Sequence, residues 1–488
     1  MIRIKDMSNE ATFLWYDLET FGRDPSFDRI AQFAARRTDM DLNPIGDPVE
    51  LYCRLSADYL PDPGACLVNG ITPQDVKKKG LPESDFIEKI NALMSRENTC
   101  TCGFNSINFD DEFIRNALYR NLMDPYEREY KNKCSRWDIL DLVRAAHDLR
   151  PQGINWPNPK ENGNPVFKLT ELTAANNIDQ TGAHDACVDV DATIAIARLI
   201  KQKQPRLFDY YFSLRFKKEV KNLLNLQGVP QPLIHTSRIF TNPHGCSSLV
   251  VPITASFLQD NVVFFFDLSK DPSLLLSASE ENIFSSPGLF RIGINKSPFL
   301  AKMATTDDEG YKRLGIDKNL CLAHYKTIIE NRSSLIVKLR QAEKPFPVQQ
   351  DPDYQIYSGF FSDHDKNLFS IVRNTPPEQK LSLNLSFIDK RCPEMLWRHV
   401  CRNWPEALTP EQMAKWKEFS IQRLLCPNGN PINDIFFTRR KAEEKLRDTS
   451  ISERDRHILE SIIDYDRSLK RFLGLPLEPS EPSPSATE

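Results

Sequence analysis

Residues 13–22 read FLWYDLETFG. Aromatic and aliphatic residues dominate, as in a core strand, yet two acids, Asp17 and Glu19, interrupt the run. Side chains two apart in a strand share a face, so both carboxylates project together from the C-terminal end of this first strand. Close carboxylates repel, and partial burial makes the conflict worse. A divalent cation relieves it, because hard oxygen ligands suit Mg²⁺ or Mn²⁺. The open end of an α/β sheet is also where ligands tend to bind. Alone the pair decides little: Asp-x-Glu recurs at Asp110/Glu112 and Asp307/Glu309, and a solvated strand end explains most isolated pairs.

Outward from this stretch, IAQFAARRTD (30–39) reads as a second strand after a Gly/Pro turn region. CTCGFNSINF (100–109) reads as a third strand running into a helix near Asp110, and SRWDILDLVRAAHDL (135–149) as a further helical stretch. A loop rich in Pro, Asn and Gly precedes KLTELTAANNI (168–178) and HDACVDVDATIAIARLIKQKQP (184–205). The helix in that last stretch is apolar nearly all round and should be buried. Alternating strands and helices make residues 13–202 an α/β domain. Beyond Pro205, short runs such as SSLVVPI, NVVFFFDL and LFRIGIN predict a small, barrel-like β domain within 205–352. From 354 to 475 the chain is helical in tone, and 476–488 is a Pro/Ser/Glu tail expected to be disordered.

The 488 residues exceed what one hydrophobic core serves, consistent with several domains. Apolar residues make up 40% and charged residues 27%, an ordinary soluble composition. No apolar run is long enough to cross a bilayer, and the first residues lack a secretory signal, so a cytoplasmic protein is expected, with no membrane partner. Eleven cysteines in no zinc spacing and no small disulfide framework read as buried thiols. The net charge of −4 neither advertises nor excludes a nucleic-acid partner, since a local basic channel can sit in an acidic whole.

Further acids join the first two. Asp110 stands at a strand-to-helix junction, where capping is its ordinary use. Near 184–191, Asp185 is best placed as a helix cap, while Asp189 stands among Ala, Cys and Val and needs a cation or donor partner. His184 lies five residues before Asp189, within reach of a shared site. Asp17, Glu19, Asp110, Asp189 and His184 together resemble the DEDDh 3′→5′ exonucleases. The chemistry explains the residue types: two cations about 3.5–4 Å apart clamp the attacking water and the leaving 3′ oxygen of an in-line displacement. A histidine of near-neutral pKa can take the proton.

The likeness covers nearly the whole chain. YDLETFG, DRIAQFAARRTD, NGITPQ, FDDEF, YRNLMDPY, SRWDILDLVRA, LRPQGINWP, AHDACVDVDATIAIARL, QPRLFDYYF and YSGFFSDHDK resemble the bacterial exodeoxyribonuclease I family, in family order. The resemblance implies a ribonuclease H-like α/β exonuclease domain, an SH3-like β domain and an α-helical C-terminal domain. It implies processive 3′→5′ degradation of single-stranded DNA to 5′-mononucleotides, in DNA repair and recombination. By the same resemblance, Asp17, Glu19, Asp189 and Asp110 hold two Mg²⁺ ions, with Mn²⁺ able to substitute, and His184 is the general base. Strand contacts fall at Glu19, Arg115, Tyr126, Arg144, Arg150 and Phe167. Tyr130 stands where the family has Trp, and Lys168 where it has Arg. Tyr130 can still stack on a base, whereas Lys168 keeps the charge without a two-pronged grip on phosphate.

The family also binds the acidic C-terminal tail of single-stranded DNA-binding protein. Gln231 and Ile329 stand where a basic residue is expected for that contact, with Lys326 and Arg332 nearby. Arginines and aromatics interleave through YRNLMDPYEREYKNKCSRW (119–137), the pattern of a stacking and phosphate-binding channel. The stretch 201–221 carries seven Lys or Arg against two acids, read equally well as an amphipathic helix. Arg238, Lys296 and Lys302 are weaker candidates, as basic residues are common on any surface. Two other readings stand beside the DNA exonuclease: a DEDDh enzyme acting on RNA or proofreading, and an inactive scaffold on the same fold. The catalytic cluster is indifferent to the 2′-hydroxyl, so DNA preference comes from the resemblance. A monomer is the simplest arrangement, since three domains suffice to enclose a strand.

Overall fold

The computed structural model describes residues 10–180, 185–347, 349–426 and 436–478. The opening stretch forms β1 (Thr12–Thr20), antiparallel to β2 (Ile30–Thr38), with Asp17 opposite Ala34 and Glu19 opposite Gln32. β3 (Val49–Tyr52) pairs antiparallel outside β2. On the other side β4 (Thr99–Gly103) runs parallel to β1, and β5 (Ser135–Asp138) parallel to β4. The mixed sheet therefore has the order β3-β2-β1-β4-β5.

Alternation along β1 splits its apolar residues between two cores. Phe13 and Trp15 join a cluster with Trp137, Val190 and Ile194, while Leu14, Tyr16 and Leu18 join one with Phe113, Ile114 and Leu118. Seven helices surround this sheet: α1 (Pro63–Asn69), α2 (Pro73–Lys79), α3 (Glu83–Met94), α4 (Asp110–Arg120), α5 (Leu140–Leu149), α6 (Leu169–Ala175) and α7 (Ala186–Lys203). α7 covers the odd-residue face of β1 and α4 the even-residue face. Residues 135–138, expected to be helical, are instead strand β5. Trp137 is fully buried there and the backbone pairs with β4 before α5 begins.

The stretch 201–221 holds the end of α7, then α8 (Pro205–Ser213), opened by Pro205, and the start of α9 (Lys217–Leu224). They lead to a second sheet of β6 (Leu233–Thr236), β7 (Ser247–Ala255), β8 (Val262–Asp267), β9 (Leu289–Gly293) and β10 (Phe299–Lys302). Its order is β10-β6-β7-β8-β9, antiparallel throughout. Among the described residues the edge strands β10 and β9 do not pair with one another, and the five strands form the small β domain expected here. α10 (Pro272–Ser277), α11 (Asp308–Arg313), α12 (Lys318–Glu330) and α13 (Arg332–Ala342) complete this region. The C-terminal region is helical: α14 (Asp363–Asn374), α15 (Pro377–Lys380), α16 (Cys392–Asn403), α17 (Pro410–Leu425), α18 (Phe437–Leu446) and α19 (Glu453–Leu473).

The second sheet shares its apolar core with the first sheet through Trp137, Phe208, Tyr211 and Phe299. The C-terminal helices reach the α/β unit elsewhere, through Phe21, Tyr59 and Ile71 against Ile458 and Ile462, and through Tyr119 and Leu122 against Phe361 and Met395. No apolar cluster of described residues joins the second sheet to the C-terminal helices. Nine of the eleven cysteines are buried and all are free thiols, as expected. No described helix is long and apolar enough to cross a membrane. The tail expected to be disordered lies outside the described residues from 479 onward.

Between the two apolar contacts with the C-terminal helices lies a buried ionic lattice. Arg402 donates Nε to Asp58 at 2.9 Å and its two terminal nitrogens to Asp353 at 3.1 and 2.6 Å. Arg398 and Arg423 also meet Asp353, at 3.0 and 3.1 Å. Nearby, Glu83 takes Arg120 at 2.7 Å and Asn121 at 2.9 Å. Burial alone would raise these acids, but the arginines outweigh it and hold Glu83 down to about 2, with Asp58 and Asp353 well below the usual carboxylate range.

These three acids titrate lower folded than unfolded. Their stabilisation is therefore complete above about pH 4.5 and drains away as pH falls toward the folded values. Thermal unfolding followed from neutral pH downward should show an acid limb beginning there, and Asp353→Asn should flatten it. An equally steep limb in that variant would contradict the assignment. Arg402→Met takes from two buried acids the guanidinium that bridges them and should cost about 3 kcal/mol in denaturant titration, Arg398 and Arg423 still meeting Asp353.

Candidate active site: an acidic cluster at the end of β1

Asp17 and Glu19 continue the odd-residue face of β1, which α7 covers, and this places them against the first turn of α7. There Asp185 caps the helix by accepting from the Cys187 N–H at 2.9 Å, as expected. Asp191 is half exposed and paired with Arg36 of β2 at 2.5 Å. Asp189 is the acid that turns inward. Ligand oxygens of Asp17, Glu19 and Asp189 all lie within 4.8 Å of one another, and Gln180 donates to Asp189 at 2.6 Å.

Asp110 arrives from the opposite face of the sheet, at the start of α4. It is the first helical residue and not the cap: Phe109 holds that position, with no side-chain cap. Burial, and then Asp17, raise the Asp110 carboxyl well above its usual range. Burial followed by Asp189 pushes Asp17 up to about 8, and burial followed by Asp17, Asp189 and Asp185 pushes Glu19 up to about 9. Every cause acting on Asp17 and Glu19 raises their pKa, and no described basic side chain offsets it. An all-oxygen donor set under that strain fits a hard divalent cation. His184 lies outside the described residues.

Two acids that the sequence reading passed over shape this end of the sheet. Asp138, at the end of β5, is 6% exposed and accepts the backbone N–H groups of Asn105, Ile107 and Leu140 at 2.9–3.1 Å, tying down the loop that enters α4. Asp111 is fully enclosed by Tyr16, Arg128 and Arg136 at 2.7, 2.8 and 2.9 Å. Asp138 carried no local signal, because the strand that it ends was not legible in the sequence. Nothing in the local sequence marks Asp111 apart from Asp110.

The expected strand contacts fall into two groups. Arg115 is 4% exposed, gripped by both oxygens of Glu129 at 2.7 and 2.9 Å and by Glu112 at 3.0 Å, under the ring of Tyr126. Tyr130 is 62% exposed. Arg144 pairs with Asp141 at 2.6 Å and lies 6.0 Å from the Phe167 ring, with Lys168 exposed beside them. Arg150 donates instead to the carbonyls of Leu149 and Thr305. The interleaved arginines of 119–137 are interior, not channel-facing: Arg120 pairs with Glu83, Arg128 with Asp111, and Arg136 with Asp111 and Glu129. Arg332 is likewise engaged, donating to the carbonyls of Ile253, Gly228 and Leu226.

A cavity of about 780 Å³ opens beside the cluster. Leu18, Glu19, Arg23, Phe109 and, from the C-terminal helices, Phe437 and Lys441 line it. An anionic or aromatic group could enter it and reach the acids.

Comparison with known proteins places this geometry. Residues 14–197 match the family described as Exonuclease, 215–342 the Exonuclease I SH3-like domain and 350–469 the Exonuclease I C-terminal domain. The chain is 42% identical over 438 residues to exodeoxyribonuclease I of Haemophilus influenzae, covering 86% of this chain and 92% of that one. Among solved structures, a moderately thermophilic exonuclease I from Methylocaldum szegediense superposes with a TM-score of 0.89 at 39% identity, over 94% of this chain and 99% of the other. Exonuclease I of E. coli in complex with a dA16 oligonucleotide gives 0.89 at 37% identity, over 94% and 100%. That protein has also been solved as a zinc-bound complex with single-stranded DNA, and a further similar structure is of SSB/exonuclease I in complex with an inhibitor. By sequence, by its mixed, antiparallel and helical regions, and by its fold over nearly the full length, the chain belongs to the exodeoxyribonuclease I family.

Proposed function

We propose that the protein is a Mg²⁺-dependent 3′→5′ exonuclease that degrades single-stranded DNA processively to 5′-mononucleotides. The convergence of Asp17, Glu19 and Asp189, with Asp110 charge-coupled to Asp17, carries this reading. Asp17, Glu19 and Asp189, with Asp110 beside them, would hold a pair of Mg²⁺ ions, for which Mn²⁺ can substitute. When bound, such a pair supplies Lewis-acid activation of water and stabilises the departing 3′ oxygen. Asp17, Glu19 and Asp110 must shed protons to act, and His184 takes the proton of the attacking water.

The E. coli relative solved with dA16 supports a single-stranded DNA substrate, and another structure of exonuclease I is described as suggesting how processivity is achieved. In this chain Tyr130 stacks on a base, while Arg144, Phe167 and Lys168 hold the strand farther along. Arg115, Tyr126 and Arg150 shape the path from behind, given how fully their polar groups are engaged. We place the working units at 13–202, 205–352 and 354–475, and the biological role in DNA repair and recombination. The acidic tail of single-stranded DNA-binding protein is the proposed protein partner, by analogy with the relative solved with SSB. Lys326 is exposed and open to that contact, whereas the guanidinium of Arg332 is not.

With 3′- and 5′-labelled strands and Mg²⁺, the protein should shorten both labels' substrates from the 3′ end and stop when chelator is added; intact strands would reject the reading. Asp189→Asn should lower turnover by at least about a hundredfold while strand binding in gel-shift titration stays near the parent value. Metal binding should also register without substrate. Asp17 and Glu19 keep their protons up to about 8 and 9, so a cation competes with protons for the site. The rise in unfolding temperature on adding Mg²⁺ should therefore grow as pH climbs through that range, and vanish in Asp189→Asn.

A further inference from the structure

The second sheet and the C-terminal helices share no apolar core, yet they meet at one carboxylate. Glu112 sits on the first turn of α4, two residues beyond Asp110, with a side chain only 15% exposed. Its Oε1 accepts from Arg115 of the α/β unit at 3.0 Å and lies 3.5 Å from Lys296 Nζ, in the β9–β10 turn. Its Oε2 accepts a hydrogen bond from the Tyr357 hydroxyl, in the segment leading to α14. Each arm is seated by further contacts. Arg136 donates to the Asn295 carbonyl at 3.1 Å, next to Lys296. Tyr126 donates to the Ile356 carbonyl at 3.3 Å, and its ring meets Phe360 edge-on at 5.4 Å.

An exposed ion pair is worth little. This carboxylate differs: it is largely shielded, it has three partners from three separate regions, and one of those contacts is a charge-assisted hydrogen bond. Arg115 and Lys296 together balance its charge, so it need not repel a passing phosphate backbone. We propose that Glu112 is a clasp, a positioning residue that holds the β9–β10 turn and the 356–360 segment together across the gap between the two outer regions, next to Asp110. It would thereby govern how long a strand stays enclosed, and not how fast each bond is cut. The proposal rests on the strand-degrading activity proposed above.

Glu112→Gln keeps the shape and removes the charge, and Tyr357→Phe removes only the hydroxyl. Each protein is bound to a long labelled strand, and reaction is started with Mg²⁺ and excess unlabelled trap. Nucleotides removed per binding event should fall on the order of tenfold in either variant. The double variant should fall no further than Glu112→Gln alone. The single-turnover rate of the first cut should stay within about twofold of the parent. Unchanged run lengths in both variants, with unfolding temperatures matching the parent, overturn the clasp. So does a first-cut rate that falls as far as the run length, which would place Glu112 in the chemistry. Failure of the parent reading looks different: the unaltered protein then leaves the strand uncut, and both ideas fall together.

Discussion

Repulsion among carboxylates gathered at the end of β1 is the constraint on which the rest of the molecule depends. Asp17 and Glu19 lie on one face because a strand has a period of two, and Asp189 meets them because α7 covers that face. Asp110 comes from the other side of the sheet, at the start of α4. Asp17, Glu19 and Asp110 are each pushed toward protonation by burial and by neighbouring acids, so their placement has to be sustained by packing around them. That packing is visible in Asp138, which fixes the loop entering α4 by three backbone hydrogen bonds, and in the apolar seams flanking both faces of β1.

Elsewhere the protein handles its buried charge in the opposite way. Around Asp111, Glu83, Asp58 and Asp353 every acid is met by at least one arginine, and these carboxyls are held down where those of the cluster are pushed up. Asp138 stands between the two: it serves the fold, but backbone N–H groups and not an arginine meet it, and burial pushes it up to about 7. The lattice on Arg402 also binds the C-terminal helices to the α/β unit in one geometry, since a buried guanidinium fork tolerates little displacement.

Much of this was legible in the sequence. The alternation of FLWYDLETFG carried the first strand and its paired acids, and the apolar setting of Asp189 singled it out from Asp185 and Asp191. The three-part order of α/β, β and helical regions also followed from patterning, reinforced by the family resemblance, though not the directions of the strands. What stayed hidden depended on long-range partners. Residues 135–138 have no alternation of their own and become β5 only because β4 is there to pair with. Arg120, Arg128 and Arg136 looked like phosphate contacts, but Glu83 and Asp111, the acids to which they donate at 2.7–2.9 Å, lie 37, 17 and 25 residues away, beyond any local pattern. Arg332 resembled a docking cation for the same reason, its three carbonyl partners lying about 80 or more residues back in the chain.

The division of β1 between two cores has an evolutionary edge to it. Because neighbouring side chains point to opposite faces, inserting or deleting one residue between Trp15 and Asp17 would leave the composition and nearly all the chain untouched. It would nonetheless swing both acids away from α7 and toward α4, while driving aromatic rings into the space they left. The length of the strand up to the acids is therefore fixed by geometry as firmly as its residue types are fixed by burial.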